Sequence, residues 1–384
     1  MGSQSDDDNA SMMSTTTTTS APTPEHTLTL AATFRVYDGY GSMGEYIALG
    51  MARAGAVVNI SPLIIDLNGT SAEFGEMFRA SRPEIVGPVL YFCGPSEWLD
   101  PYREVEDLFI NTMWEADRLP AVWPERLNLA RAVIVPSRFL IDVFRRSGVS
   151  VPVEVVAQGV DPDVYHYEQR PLREGLTTLM VGTVDERKHI NEGIAAWKLA
   201  FENDRSARLV IKSRFQKGNY SFDDPRITFY RHDEATRGIA GWYREADVLM
   251  ALGNEGFGLP LVEGMATGLP VIALDSEGQA DICAEAVDCL LPVAPAHWAP
   301  YKEPNWGPSG VQAVPGVEDV AERLRWVAAH RAEARDMGRA ASEWALKHRN
   351  VWRMGPAILE VMEHYARPTR SLRRVESRSQ YRLR

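Results

Sequence analysis

Residues 249–273 read LMALGNEGFGLPLVEGMATGLPVIA. An apolar run opens into a loop in which glycines bracket Glu255, and a helical segment carrying Glu263 follows. Pro260 suits a first helical turn, where its missing N–H costs nothing, and Gly268 with Pro270 forms a stop signal, so a helix is expected from about Leu259. The unpaired N–H groups of that turn, with those of Gly256, Phe257 and Gly258, carry the positive end of the helix dipole and favour an anion such as a diphosphate. Glu255 would repel a phosphate, so it is read as an acceptor for neutral hydroxyls beside the anion, the groups a sugar supplies. The spacing alone is equally compatible with a strand, a tight turn and a helix bearing two ordinary surface glutamates.

On either side of this stretch, short apolar runs alternate with amphipathic ones. From Thr27 the runs are LTLAATF, AVVNISP, PVLYFC, LFINTMW, AVIVPS and VEVVAQGV. After a polar, proline-containing break at residues 161–173 come TTLMVGTV, RLVIKS, RITFY, DVLMALG, PVIAL and LLPV. Strands alternating with helices imply parallel sheets covered on both faces. The expected architecture is α/β: two doubly wound, Rossmann-like domains whose strand ends face one another across a cleft. A length of 384 residues, 45% of them hydrophobic, accommodates two cores. The expected division is a disordered leader at 1–26, a first domain at 27–162, a linker at 163–174, a second domain at 175–349, a crossover helix at 350–366 and a basic disordered tail at 367–384.

The net charge of −11 disfavours a general nucleic-acid surface. The tail RPTRSLRRVESRSQYRLR is a local exception; a solvated end is the plainer reading, and a weak contact with an anionic surface is the other. The three cysteines, Cys93, Cys283 and Cys289, have neither metal nor disulfide spacing and read as reduced core residues. The leader lacks the apolar stretch of a signal peptide, and no run approaches the roughly 18 apolar residues of a membrane span, so a cytoplasmic protein without a transmembrane segment is expected.

The stretch EGFGLPLVEGMATGLPVIA resembles the ExxxxxxxE signature of retaining GT-B glycosyltransferases, family four in particular. The resemblance extends in order through MWEADRLP, VPSRFLIDVFRRSGV and VVAQGVDPDVYH, covering most of residues 35–365. It implies that Glu255 contacts donor-sugar hydroxyls, that Glu263 holds the nucleotide ribose, and that Phe257, Gly258 and Leu259 lie against sugar and diphosphate. It also implies that the last helix crosses back to the first domain. Members carry a basic pair in the segment matching VGTVDERKHINEG. Lys188 matches the lysine, Thr183 occupies the early arginine position, and His189 stands where a glycine is usual. Arg187 is the expected replacement for the missing charge, with Lys212 and Arg214 as alternatives; read without the resemblance, Arg187 and Lys188 are a solvated pair at a helix entry.

GYGSMG, with Gly39, Gly41 and Gly44, fits the GxGxxG fingerprint of dinucleotide-binding units. The acid that should end the second strand is misplaced, because VVNISP carries Asn59 and Ser61 while Asp66 lies beyond Pro62. A glycine-rich first loop also occurs in GT-B first domains, near the donor diphosphate, and Gly41 is assigned there. Glu115 follows an apolar run and is a candidate general base on the acceptor side, against a capping role that is the plainer reading. The eight histidines show no paired spacing, although His232 falls where family members approach the nucleobase. No metal site is expected: the acidic runs fall in the leader and the linker.

The expected activity is metal-independent, retaining transfer of a sugar from a nucleotide-diphosphate donor, a co-substrate rather than a cofactor, with domain closure over the donor. The acceptor is open among glycan, lipid-linked glycan, protein, metabolite and modified nucleic acid. The competing readings are an NAD-dependent oxidoreductase using GYGSMG and a non-catalytic nucleotide-sugar-binding protein of the same fold.

Overall fold

The computed structural model describes residues 27–35, 37–171, 173–214, 222–303 and 305–367. The expectations for residues 1–26 and for the tail from 368 onward lie outside the described residues. Two parallel six-stranded sheets form the frame. The first contains β1 (Thr27–Phe34), β2 (Val57–Ile65), β3 (Val89–Phe92), β4 (Leu108–Asn111), β5 (Ala132–Val135) and β6 (Val153–Val155), in the order β2-β1-β3-β4-β5-β6. The second contains β7 (Thr177–Val181), β8 (Arg208–Ser213), β9 (Ile227–Arg231), β10 (Val248–Ala251), β11 (Val271–Leu274) and β12 (Leu291–Val293), in the order β12-β11-β10-β7-β8-β9. Every residue of β3, β4, β5, β10 and β11 is buried, as the unalternating apolar runs require for strands covered on both faces.

Each sheet has one point where the winding reverses, between β1 and β3 in the first and between β7 and β10 in the second. The carboxyl ends flanking such a point leave a crevice because the connecting helices depart to opposite faces. In this chain the two crevices confront each other.

Two chain crossings lie side by side between the domains. The Val160 N–H donates to the Arg349 carbonyl (2.8 Å) and the Val351 N–H donates to the Val160 carbonyl (3.0 Å). Beyond this bridge the final helix, Met354–Tyr365, returns to the first domain and buries Met354, Ile358 and Met362 in its core. It rests on the helix Gly39–Arg53 through paired glycines, since a Cβ on Gly355 would strike the Gly50 backbone.

Residues 317–348 form two helices, Val317–Ala329 and Arg331–His348, with a break at His330. One local expectation changes. Strand β2 does not stop near Pro62 but continues to Ile65, so Asp66 directly follows its end and the argument that this acid is misplaced does not hold. An antiparallel hairpin, β13 (Pro295–Glu303) and β14 (Gly307–Pro315), also stands outside both sheets. Its prolines, glycines and polar residues disguise it, because a two-stranded ribbon has free edges that tolerate them.

Candidate active site

The facing crevices enclose a cleft of about 470 Å3. Residues after β1, β3 and β4, among them Arg35, Cys93 and Glu115, form one wall; Thr183, Lys188, Glu255 and Glu263 stand on the other.

The second wall is built by the stretch that decides the fold. After β10 the chain turns through Glu255 to Gly258, whose φ of +108° reverses the backbone at the N-cap of the helix Leu259–Ala266. This left-handed conformation is natural only to glycine. Arg187 and Lys188 arrive from the loop after β7 and converge on one carboxylate. Glu255 Oε1 is paired with the Lys188 ammonium, Oε2 accepts from the Arg187 guanidinium (3.1 Å), and Arg187 also donates to the Asn254 carbonyl (2.6 Å). Burial opposes ionisation of Glu255, but Lys188 and Arg187 outweigh it and hold the carboxyl below its usual range. Burial likewise holds the Lys188 ammonium below its usual range, since it shares that single carboxylate with Arg187. Arg187 is opposed by burial too, yet Glu255, Glu115 and Asp185 raise it overall. Two cations on one carboxylate leave surplus positive charge beside the start of a helix, an arrangement suited to a polyanion.

Of the other basic candidates, Lys212 is 1% exposed and committed to the His232 carbonyl (2.7 Å) and Glu234 (3.6 Å). Arg214 faces Asp38 across the cleft at 3.8 Å. Arg187 is therefore the one joined to Glu255. His189 has φ +50°, which explains why a glycine suits this place; the histidine uses its ring against the Asn254 amide (2.8 Å) and Glu192 (3.7 Å). Thr183 lines the cleft without contributing charge.

Glu263 projects from the helix into the cleft between two phenols: Tyr165 donates to Oε1 (3.0 Å) and Tyr243 to Oε2 (2.6 Å). Burial raises the Glu263 pKa, and both phenols act against that rise. These tyrosines went unrecognised in the sequence, where they lie in the linker and on a separate helix with no shared spacing. Glu115, on the opposite wall, is raised by burial and lowered by Arg187, so it lies in the field of the same cluster.

Not every glycine and apolar residue of the signature faces the cleft. Phe257 and Gly258 line it, as does Leu259, which also packs against cores of both domains. Gly256 is instead a domain contact. Its carbonyl accepts from Ser137 Oγ (2.7 Å), and a Cβ there would lie 2.8 Å from that of Met113. Gly41 is turned away: a Cβ would strike the Arg35 backbone, and its N–H donates to Asp38 (2.6 Å). GYGSMG thus forms the opening turns of a helix rather than a loop before one, with the Asp38 carboxylate capping the end that a pyrophosphate would need. Asp66, at the end of β2, accepts from Tyr37 (3.3 Å).

Fold and cleft define a two-domain protein of the GT-B type. Residues 175–299 match the family described as "Glycosyl transferases group 1", and the whole fold is that of two-domain GT-B structures. Among solved structures, the Anabaena protein Alr3699/HepE in complex with UDP and glucose superposes with a TM-score of 0.64 at 13% identity, over 88% of this chain and 100% of that one. A glycosyltransferase from Rickettsia africae gives 0.63 at 13% identity, over 90% and 99%. WaaG, a glycosyltransferase involved in lipopolysaccharide biosynthesis, gives 0.59 at 14% identity, over 88% and 99%. No curated protein matches this sequence. No helix among the described residues is long and apolar enough to cross a membrane.

Proposed function

We propose that the protein transfers a sugar, with retention and without a metal, from a nucleotide-diphosphate donor to an acceptor hydroxyl. The observation that carries this reading is that Arg187 and Lys188 both pair with Glu255 in a cleft that the Gly258 helix start also lines. As the glycosidic bond breaks, negative charge grows on the departing diphosphate, and preorganised cations and amides stabilise that charge more strongly than they do the ground state. Glu255 orients the two cations and accepts from sugar hydroxyls. Glu263, held by Tyr165 and Tyr243, receives the ribose. Attack from the face of the leaving group needs no carboxylate nucleophile, unlike the two-carboxylate route of hydrolases.

The complex of the Anabaena protein makes UDP-glucose the first donor to try. The test follows products by NMR with UDP-glucose and a panel of acceptor alcohols, with and without EDTA. The expected product keeps the donor's anomeric configuration and forms at an unchanged rate in EDTA. An inverted product or a chelator-sensitive rate would overturn the corresponding part of the proposal.

A further inference from the structure

The β13–β14 hairpin belongs in sequence to the second domain, and all but its first residues lie beyond the matched family segment, yet it is seated in the first. Tyr301 and Trp306 pack against the first domain's core, with Tyr301 6.2 Å from Trp114 and Trp306 5.8 Å from Trp123, both edge-on. Three successive residues of β14 then bond to both walls of the cleft, the first two to the first wall and the third to the second. Val311 exchanges backbone and side-chain bonds with Asp117: its N–H donates to Asp117 Oδ1 (2.7 Å) and its carbonyl accepts the Asp117 N–H (3.2 Å). The Gln312 side-chain amide, buried, donates to the Glu115 carbonyl (2.7 Å). The Ala313 carbonyl accepts from the Asn254 side chain (3.0 Å) and its N–H donates to Glu277 Oε1 (3.1 Å).

Asn254 precedes Glu255 and receives Arg187 on its carbonyl. A single strand segment therefore holds the backbone carrying Glu115 on one wall and the loop carrying the leaving-group cluster on the other. Domains joined only by two crossings rock freely, because such interfaces are small and polar. Beside the Ser137–Gly256 contact, a further tie at the cleft itself, made of buried and part-buried hydrogen bonds, removes much of that freedom.

We propose that the hairpin is a strut that sets the separation of the two walls, with Gln312 the residue that positions Glu115 against the Arg187–Glu255–Lys188 cluster. Its catalytic consequence rests on the glycosyl-transfer reading; its mechanical consequence does not. A sub-ångström error in the approach of reacting groups lowers turnover without weakening the hold on the donor, whose contacts lie in the second domain.

Two variants test this. One replaces residues 296–314 by two glycines between Pro295 and Pro315, which face each other in the hairpin register. The other, Asp117→Ala with Gln312→Ala, cuts side-chain ties to the first wall and leaves the hairpin in place. UDP-glucose is the donor probe, UDP binding is measured by calorimetry, and domain separation by small-angle X-ray scattering. Without UDP, the replacement variant should give a larger radius of gyration than wild type. Both variants should lose turnover by about tenfold or more while UDP affinity stays within about twofold. A wild-type profile from the replacement variant overturns the strut, as does UDP affinity falling in step with turnover. If wild type transfers no sugar from UDP-glucose, scattering alone still decides the strut, and the failure belongs to the donor reading.

Discussion

The Lys188 ammonium and the Glu255 carboxylate form an ion pair on the second wall of the cleft, and Arg187 completes it on the other carboxylate oxygen. Neither cation can be spared if both serve the leaving group. Lys188→Ala is expected to lower turnover about a hundredfold, the usual loss when a transition-state charge partner is removed. Lys188→Arg should recover part of it, and Glu255→Ala should cost turnover as well by releasing both cations. Steady-state kinetics with the donor probe checks this; rates within a few-fold of wild type would remove the cluster from the chemistry.

Glu263 depends on its two phenols for orientation. Removing both, in Tyr165→Phe with Tyr243→Phe, leaves a half-buried carboxylate with its hydrogen bonds unmade. Nucleotide-diphosphate binding is expected to weaken about tenfold, in keeping with roughly 1–3 kcal/mol for charge-assisted hydrogen bonds. Titration with UDP reports it, and an unchanged Kd would show that Glu263 does not hold the nucleotide.

His189 separates a backbone effect from a side-chain effect. Its φ of +50° costs an L-residue about 1–2 kcal/mol relative to glycine. His189→Ala retains that strain and loses the ring's bonds to Asn254 and Glu192, whereas His189→Gly loses the bonds but relieves the strain. Chemical denaturation should place the alanine variant about 1 kcal/mol below the glycine variant. Equal stabilities would mean that the loop relaxes to negative φ.

How much of this was legible in the sequence follows from where the determinants lie. The two sheets were readable because short apolar runs such as PVLYFC and DVLMALG, alternating with amphipathic stretches, fit strands buried on both faces. The turn into Leu259–Ala266 was readable because Pro260 and Gly268 punctuate it. Arg187, Lys188 and Glu255 were singled out, but their meeting was not visible, since it depends on β7 and β10 being neighbours. Tyr165, Tyr243 and the hairpin stayed hidden for the same reason: their partners are fixed by tertiary packing, and no local period announces it. The reading of Asp66 failed on a strand that runs through a proline; β2 lies at the sheet edge, where a missing N–H is tolerated.

The return of the last helix gives a stability prediction at a single atom. Gly50 and Gly355 bring two helices into backbone contact, and a Cβ on Gly355 would overlap the Gly50 backbone. Neither side can yield as a flexible side chain would. Gly355→Ala is expected to destabilise the protein by about 1–3 kcal/mol, the range for overpacked cores. Thermal unfolding measures it, and a variant as stable as wild type would show that the crossover helix can shift.

Glu277 supplies the pH dependence. It is 3% exposed, adopts φ +46°, and burial raises its pKa against the opposing bonds from Ser276 and the Ala313 N–H. A carboxyl whose folded pKa lies above its unfolded value, about 4.3, contributes stability that is fully present below that value. The contribution is lost as pH rises through the folded pKa, because the folded state then gives up a proton it binds more tightly than the unfolded chain does. Glu277→Gln cannot titrate, so it lacks this loss. Whatever constant offset the amide introduces, the melting temperature of the variant relative to wild type should climb as pH rises from about 4 and level off above the folded pKa. Parallel melting curves for the two proteins from pH 4 to pH 8 would show that Glu277 titrates alike in both states, and that the bond to Ala313 holds its carboxylate as well as water does.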